Sequence, residues 1–380
     1  MIRLLKISSY YDNFLKGFWS SKRPDLASGY DNALRELMEA RFGWFDVWKR
    51  TLEGNGGFTV MEVVANDEIT QRLWAKKENP AQGEASMRKI LLMQIQSFRP
   101  DVIFANNVSV TGPADWKEWG QIPIKKPVLF AYEGLGSKEV EKFREVDFVL
   151  TPLRVGRDNF RQAGVEAHLF RPAFPLECQT MESQEKDLEA VFIGSVGTSL
   201  KGHGPRLRFL HDLSKQADIT FYLSGLGLAQ TSPLKQARRL FRGQWKDFQA
   251  VRRLGEMNQG TAFGRRMYET LGRSRVALNF HVASAGEEGV NMRLYEGTGM
   301  GACMLTENKP NLPELFKPDM EIVTYGSTEE AAEKIRWLID HPREAGKIAK
   351  AGQARTQREH SLENQIRQVA ERIKEKLAFR

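Results

Sequence analysis

The sequence predicts an α/β protein with two parallel β-sheets. Short apolar runs rich in β-branched residues alternate along the chain with segments whose apolar residues recur at helical spacing. This alternation is typical of β-α-β units, whose strands lie parallel. It stops once, near residue 172, and then starts again, which indicates two halves. A length of 380 residues also suits two domains better than one core.

The first half contains six predicted strands and two helices with clear patterns. A helix over residues 85–98 carries apolar side chains every three or four positions and ends before Pro100. A second helix over residues 153–163 is closed by Gly164, a residue suited to the turn that follows many helices. The strands are predicted at residues 2–7, 58–64, 102–105, 128–131, 148–151 and 167–170.

The boundary between the halves is predicted where Pro172 and Pro175 break the pattern and residues 176–187 offer little to bury. Beyond it, strands are expected at residues 190–193, 219–223, 276–282, 303–306 and 322–325, and helices at 205–215, 264–272, 290–298, 328–340, 342–357 and 361–377. We therefore expect four segments: a first domain over residues 1–172, a linker over 173–187, a second domain over 188–360, and a last helix over 361–380 that crosses back to the first domain. Two such halves create a cleft, where ligands of these proteins usually bind.

The charge balance indicates an anionic partner or substrate. Lys and Arg number 56 against 48 Asp and Glu, which gives a net charge of +8. Cys178 and Cys303 fit neither a disulfide framework nor a metal cluster. No apolar run approaches the roughly 18 residues that cross a bilayer, and the N-terminus lacks the pattern of a secretory signal. We expect a cytoplasmic protein, with peripheral contact to the inner face of the membrane as a further hypothesis.

Glycine-rich loops indicate phosphate binding but not a dinucleotide cofactor. The G-x-G-x-x-G fingerprint is absent after the first strand, and Gly225-Leu226-Gly227 lacks its third glycine. The loop over residues 194–202 is different, because small residues directly after a strand can turn backbone N–H groups towards a phosphate. Lys201 lies in this loop, and three more basic residues follow it: His203, Arg206 and Arg208. An ordinary flexible loop with a solvated basic helix start is the alternative.

The most informative stretch is the loop and predicted helix over residues 288–296. Asn291 and Arg293 lie at the start of the helix, which is the positive end of its dipole. An arginine there can hold a diphosphate through paired hydrogen bonds that lysine cannot match in geometry. Glu296 lies one to two turns further on and can accept hydrogen bonds from the two hydroxyls of a ribose. The pattern therefore predicts a nucleotide site.

These residues belong to a larger set of motifs that resembles a known family. The set is similar to the C-terminal domain of GT-B glycosyltransferases, and in particular to the branch related to the spore maturation protein CgeB. Each motif alone is weak, but together they are specific, and the resemblance extends over about residues 190–377. The matching segments include Asn279-Phe280-His281, Asn291-Met292-Arg293-Leu294-Tyr295-Glu296, Gly299-Met300-Gly301-Ala302 and Asn311-Leu312-Pro313-Glu314.

The resemblance implies a GT-B architecture, with two Rossmann-like domains that face a cleft. It also implies an enzyme that moves a sugar from a nucleotide sugar, with UDP or GDP as the nucleotide and no separate cofactor. The expected acceptor is a glycan, a lipid-linked molecule or a protein. The predicted nucleotide-sugar-binding residues are Gly194, Ser195, Lys201, Arg265, Asn291, Met292, Arg293, Leu294 and Glu296.

The resemblance further implies a retaining reaction that needs no metal. Seven residues separate Glu288 from Glu296, as in many retaining members of the group, so Glu288 is expected to face the donor sugar. Arg293 and Lys201 are expected to stabilise the departing diphosphate. The sequence contains no Asp-x-Asp pair and no His/Cys cluster, which agrees with a metal-independent reaction.

The three predicted catalytic residues each have a structural alternative. Glu288 is also consistent with an ordinary loop carboxylate, and His281, at a predicted strand end, with a structural hydrogen-bonding role. Glu133 follows a strand of the first half and would act as a general base on the acceptor if the enzyme inverts, or lie on the surface. Retention or inversion of the sugar configuration therefore stays open. The alternative function is that of a protein of this fold that binds nucleotides or carbohydrates without catalysis.

A basic amphipathic segment over residues 228–263 interrupts the second half. It holds seven Lys or Arg residues against two carboxylates, with aromatic and aliphatic residues at helical spacing. Such a segment can lie on an anionic membrane or contact a lipid phosphate. The alternative is a helical hairpin whose apolar stripe packs on the domain. No recognisable nucleic-acid module is present, so we expect no nucleic-acid partner.

Overall fold

The computed structural model describes residues 1–22, 29–79, 83–106, 111–134, 139–196, 204–226, 245–281 and 286–380. The chain divides into two compact units. Unit 1 comprises Met1–Arg171 and Leu362–Arg380, and unit 2 comprises Pro172–Ser361. Each unit contains one sheet, and all strand pairs among the described residues are parallel. The predicted α/β class with two parallel sheets is therefore confirmed.

Unit 1 contains all six strands that the sequence predicts, within one residue of the expected bounds. Its elements are β1 (Ile2–Ser8), α1 (Asp12–Lys22), α2 (Gly29–Glu39), α3 (Val47–Gly54), β2 (Phe58–Val64), α4 (Glu68–Glu78), α5 (Met87–Phe98), β3 (Val102–Ala105), α6 (Pro113–Trp119), β4 (Val128–Tyr132), β5 (Phe148–Thr151), α7 (Arg154–Gln162) and β6 (Ala167–Leu169). The strand order is β2-β1-β3-β4-β5-β6. Helices α1 to α4 and α6 were not predicted from the sequence.

The sheet of unit 1 is buried on both faces, which explains the continuous apolar runs of its strands. On β1, for example, Leu4, Leu5 and Ile7 are completely buried. Lys6 interrupts this run, and its Nζ donates to the Glu62 carboxylate at 2.9 Å and to the Phe45 carbonyl at 2.6 Å. A lysine is tolerated in this core because its charge is paired and hydrogen-bonded.

Unit 2 repeats the strand–helix alternation. Its elements are β7 (Leu188–Ser195), α8 (Gly204–Leu213), β8 (Thr220–Ser224), α9 (Trp245–Met257), α10 (Gly264–Gly272), β9 (Ser274–Asn279), α11 (Met292–Gly299), β10 (Cys303–Glu307), α12 (Leu312–Leu315), β11 (Val323–Tyr325), α13 (Thr328–Asp340) and α14 (Pro342–Glu359). The strand order is β11-β10-β9-β7-β8. The strand predicted over residues 276–282 ends at Asn279, and the helix predicted from residue 290 begins at Met292 because Asn291 caps it.

Residues 173–187, expected as a linker, are packed into unit 2. Phe174 and Cys178 are completely buried. Lys186 Nζ donates to the carbonyls of Gly272 at 2.7 Å and Met300 at 3.2 Å. The polar composition of the segment does not reveal these contacts, which attach it to unit 2.

The last helix, α15 (Leu362–Ala378), belongs to unit 1. It packs against α3 and β4 through its apolar face. Ile366, Val369 and Ile373 lie on that face and are buried. Residue spacing of three and four places these side chains on one side of the helix, as the sequence pattern requires.

The described part of the basic segment over residues 228–263 contributes to the core of unit 2. Ala250, Val251 and Leu254 of α9 are buried, and α9 packs against α8. The apolar stripe of α9 therefore packs within unit 2, in agreement with the alternative in which the apolar stripe of the segment packs on the domain. Residues 228–244 lie outside the described residues. Within the described ranges, no helix combines the length and the apolar character needed to span a bilayer.

Candidate active site

The candidate site of unit 2 lies at the carboxyl ends of three strands. β7, β9 and β10 are parallel neighbours, so their last residues, Ser195, Asn279 and Glu307, lie along one edge of the sheet. Helix α11 begins at the same edge, because its N-cap Asn291 is hydrogen-bonded to Asn279. In open parallel sheets this is the edge at which ligands bind.

Asn279 holds this edge together through three hydrogen bonds. Its Nδ2 donates to Thr306 Oγ1 at the end of β10, at 3.0 Å, and its Oδ1 accepts from Asn291 Nδ2 at 2.8 Å. Its backbone carbonyl accepts from the hydroxyl of Tyr325 at 2.7 Å. Asn279 is 2% exposed, so these bonds are shielded from water and fix the amide in one orientation. Asn279 thereby positions Asn291.

Asn291 caps α11 and leaves part of its N-terminus open. Its Oδ1 accepts from the N–H of Leu294 at 3.1 Å, which satisfies one of the donors that a helix leaves free. The N–H groups of Met292 and Arg293 make no hydrogen bond to any described residue. The side chain of Leu294, a predicted binding residue, is completely buried, and its N–H is engaged by the cap.

Arg293 and Glu296 form an ion pair in the first turn of α11. Arg293 Nη1 donates to Glu296 Oε2 at 2.7 Å, and Arg293 Nε donates to the carbonyl of Ile193 on β7 at 3.2 Å. The side chain of Glu296 is 6% exposed. Burial raises the pKa of this carboxyl, and the charge of Arg293 opposes the rise. Among the described residues, none donates to Glu296 Oε1, which remains an available acceptor.

Arg206, in the first turn of α8, is a residue of this site to which the sequence assigned only charge. Its Nη1 donates to the carbonyl of Ser195 at 2.9 Å and its Nη2 to the carbonyl of Phe280 at 2.6 Å. These acceptors lie 11 and 74 positions away along the chain, so no local pattern indicates them. Burial lowers the pKa of Arg206 to about 10, and the guanidinium stays charged at neutral pH.

The remaining predicted binding residues are less closely connected to Arg293 and Glu296. Gly194 and Ser195 end β7 and are half-buried. Arg265 is exposed on α10, where its Nε donates to Glu269 at 2.8 Å, and no bond joins it to the other predicted residues that the structure describes. Lys201 lies outside the described residues.

His281 is buried at this edge, with a side chain that is 1% exposed. Its backbone N–H donates to Glu307 Oε2 at 3.3 Å, and its Nδ1 lies 3.6 Å from the same oxygen, beyond hydrogen-bonding distance. Burial lowers the pKa of the imidazole, and Glu307 opposes that effect. The ring is therefore neutral near pH 7 and, in this arrangement, shielded from a ligand.

Glu288 is half-buried in the loop before α11. The next residue, Gly289, anchors this loop through its N–H, which donates to Asn311 Oδ1 at 2.6 Å. A Cβ atom at Gly289 would lie 3.2 Å from His281 Nε2 and 3.1 Å from Lys309 Cβ. The close approach explains the glycine at this position. Asn311 is a second residue to which the sequence pattern gave no role at the site.

Glu133 follows β4 in unit 1. It is 9% exposed, and its backbone N–H donates to the carbonyl of Leu150 at 2.9 Å. The carboxylate is therefore buried at the carboxyl edge of its own sheet rather than spread on the surface. This is the edge at which parallel sheets bind ligands.

The sequence of this region matches a known family. Residues 206–371 correspond to the family described as glycosyl transferase-like. Over this segment the chain is similar to the glycosyl transferase-like family. The resemblance found in the sequence is confirmed. The family segment contains Arg206, Asn279, Arg293 and Glu296, and thus the hydrogen-bonded edge described above.

Solved structures similar to the chain support the same fold. HepE (Alr3699) from Anabaena, in complex with UDP-glucose, is 14% identical with a TM-score of 0.63 over 99% of this chain and 100% of its own. Sucrose-phosphate synthase from Thermosynechococcus elongatus is 13% identical with a TM-score of 0.59 over 100% of both chains. AviGT4, a glycosyltransferase involved in avilamycin A biosynthesis, is 14% identical with a TM-score of 0.54 over 100% of this chain and 99% of its own.

At these identities the likeness establishes the fold alone, and this is the GT-B fold predicted from the sequence. A comparison with curated protein sequences finds no match.

Proposed function

We propose that the chain transfers a sugar from a nucleotide-sugar donor, bound at the start of α11, to a glycan, a lipid-linked molecule or a protein. The observation that carries the proposal is the buried Glu296, which is bound to Arg293 beside two N–H groups without partners among the described residues. A carboxylate acceptor next to a cationic helix N-terminus matches the two polar parts of a nucleoside diphosphate, the ribose and the phosphates.

The donor would bind with its ribose hydroxyls at Glu296 Oε1 and its phosphates at the N–H groups of Met292 and Arg293. The helix dipole, the guanidinium of Arg293 and the buried charge of Arg206 all favour an anion there. Lys201, which lies outside the described residues, is also proposed to stabilise the diphosphate. UDP is the first nucleotide to test, because HepE, of similar fold, was crystallised with UDP-glucose.

The reaction would proceed without a metal. The bond between the anomeric carbon and the phosphate oxygen breaks, and the diphosphate leaves with the electron pair. Negative charge then develops on the diphosphate, where the fixed cation and N–H donors stabilise it. The acceptor oxygen forms the new bond on the same face of the sugar, which retains the configuration, and its proton passes to the departing phosphate oxygen.

The proposed roles of the carboxylates follow from their positions. Glu288, half-buried in the loop before α11, would face the donor sugar. His281 would pack against this loop rather than contact the donor, because its ring is buried and close to Gly289. Glu133 of unit 1 would contact the acceptor, and it would take the acceptor proton if the reaction inverts.

Calorimetric titration with UDP-, GDP-, ADP- and CMP-sugars tests the proposal. We expect one nucleotide class to bind, and slow hydrolysis of the corresponding donor to release free sugar. Addition of EDTA should leave both unchanged if the reaction needs no metal. Absence of binding across all four classes would contradict the proposal, whereas binding without hydrolysis or transfer would indicate a non-catalytic protein. The configuration of the released sugar, read by NMR, distinguishes retention from inversion.

A further inference from the structure

Arg206 is a buried cation whose hydrogen-bond partners are both uncharged. The residue is 8% exposed, and its two terminal nitrogens donate to the carbonyls of Ser195 and Phe280. Its Nε is buried and has no hydrogen-bond partner among the described residues. A buried charge held only by neutral groups is unfavourable for folding. The lowered pKa of Arg206 reflects that unfavourable burial.

The carboxylates of the site are engaged with other cations. Glu296 is bound by Arg293 at 2.7 Å, and Glu307 lies 3.3 Å from Lys309 Nζ. The positive charge of Arg293 repels that of Arg206. Glu307 attracts the charge of Arg206 electrostatically but forms no hydrogen bond with it. The charge of Arg206 therefore has no bonded counter-charge among the described residues. An anion that binds near this charge would offset the unfavourable burial.

Arg206 connects the ends of two neighbouring strands in the sheet of unit 2. Ser195 ends β7 and Phe280 directly follows β9, so one guanidinium joins the ends of two neighbouring strands. A Cβ atom at Gly194 would lie 3.9 Å from Arg206 Nη1, which places the guanidinium close to the backbone that leaves β7. Arg293 is bonded to the same strand two residues earlier, at Ile193.

We propose that Arg206 is a positioning residue for the diphosphate of the donor. It fixes the ends of β7 and β9 beside the start of α11, and its charge raises the positive potential at that point. Because it is 8% exposed, it acts through the backbone of Ser195 and Phe280 and through its field, without touching the ligand. The proposal rests on the proposed function, since it requires an anion to bind at the start of α11.

The test compares Arg206→Met, Arg206→Lys and the control Arg336→Met, because Arg336 also donates to a backbone carbonyl but is exposed on α13. Calorimetry measures the binding of UDP, uridine and inorganic pyrophosphate, and differential scanning fluorimetry measures Tm. For Arg206→Met we expect UDP and pyrophosphate affinity to fall by about tenfold and uridine affinity to stay unchanged. The Tm reports the effect on stability separately, because the substitution removes both the buried charge and the hydrogen bonds to the two carbonyls.

Arg206→Lys keeps the charge but reaches only one of the two carbonyls, so its UDP affinity should lie between those of the wild type and Arg206→Met. The control should bind all three ligands like the wild type. Unchanged UDP affinity in Arg206→Met, or an equal loss for uridine and UDP, would overturn the proposal. If Arg206→Met does not fold, unchanged UDP affinity in Arg206→Lys overturns it. A wild type that binds neither UDP nor pyrophosphate would instead overturn the proposed function itself, and this inference with it.

Discussion

Arg293 Nη1 lies 2.7 Å from Glu296 Oε2, so the two groups proposed for the phosphates and the ribose are bound to each other. The pair is attached to the sheet through Arg293 Nε and the carbonyl of Ile193. Glu296 is also buried, which limits its freedom before any ligand arrives. A preformed pair of this kind positions one polar group through the other. Substitution of either residue should therefore affect both parts of the nucleotide site, but to different degrees.

The first prediction concerns Arg293→Lys. Lysine keeps the charge but cannot bond Ile193 and Glu296 with the two separate nitrogens that arginine uses. We expect UDP affinity to fall by about tenfold, as measured by calorimetry. Arg367→Lys is the matched control, because Arg367 is exposed on α15 of unit 1 and donates to Asn364. Similar losses in both variants would mean that the start of α11 is not the nucleotide site.

The second prediction concerns Glu296→Gln, which removes the charge but keeps the shape. The amide is a weaker acceptor for ribose hydroxyls than a carboxylate, so UDP affinity should fall by about tenfold. Arg293 is at the same time released from its ion pair, so inorganic pyrophosphate should bind as well as before or more tightly. Calorimetry with both ligands measures this contrast. Parallel losses for UDP and pyrophosphate would contradict the ribose role, and Glu269→Gln on α10 serves as control.

The third prediction separates the two hydrogen bonds of Asn291. Asn291→Ala removes the cap on Leu294 and should destabilise the protein by about 1 kcal/mol in urea denaturation. Asn291→Ser restores an N-cap oxygen but is too short to reach Asn279, so it should recover most of that loss. Equal destabilisation by Ala and Ser would show that the bond to Asn279, and not the cap, stabilises α11.

These residues also show which parts of the structure a sequence can reveal. Strands such as Phe58–Val64 and helices such as Gly264–Gly272 were predicted with their observed bounds. The reason is that the spacing of buried residues, about two in a strand and three or four in a helix, is visible within the element itself. The start of α11 was predicted to within two residues for the same reason, and Asn291 and Arg293 were expected there. The resemblance to a family then indicated the loop and helix for which we propose the nucleotide site.

The interactions that organise the site were not predictable in the same way. Arg206 reaches carbonyls 11 and 74 positions away, and Asn279 bonds Thr306 from a neighbouring strand. Such partners depend on strand order, which no local pattern contains. Leu294 was expected to bind the ligand because it lies within a motif, whereas its burial is decided by the face of α11 on which it lies. A motif identifies a segment, and tertiary packing decides which of its residues face the ligand.

The fourth prediction concerns the pH dependence that His281 contributes. Burial lowers the pKa of its imidazole in the folded protein, against an opposing effect of Glu307, while Lys309 and Arg206 also disfavour the charged ring. In the unfolded chain the imidazole takes up a proton near pH 6.5. The stability that the neutral ring provides is therefore complete above about pH 6.5 and is lost as the pH falls through the folded-state pKa.

We therefore expect the urea midpoint of the wild type to fall more than that of His281→Gln between pH 7.5 and pH 5.5. Each unit of difference between the folded and unfolded pKa corresponds to about 1.4 kcal/mol. Because the other titrating groups are shared by both proteins, the difference between their pH profiles isolates His281. Profiles that run parallel over this range would show that the ring gains a proton equally well in both states.

The fifth prediction concerns Lys186, which joins the ends of two helices. Its Nζ donates to Gly272 O at the end of α10 and to Met300 O directly after α11. Helix C-termini carry partial negative charge and free carbonyls, so one lysine satisfies both ends at once. Lys186→Met would leave these carbonyls and the Glu182 carboxylate without that donor. We expect a loss of about 2 kcal/mol in the free energy of unfolding, measured by urea denaturation.

Lys350→Met is the control for this experiment, because Lys350 is an exposed lysine on α14 that lines the same cavity of about 590 Å³ as Lys186. Its removal should change the free energy of unfolding by less than about 0.5 kcal/mol. If Lys186→Met is as stable as this control, the other contacts of residues 173–187, such as those of Asp187 with Arg273 and Glu182 with Gln353, are sufficient to hold the segment. A selective loss would instead mean that this segment, through Lys186, helps to fix α11 from the end opposite to the proposed phosphate site.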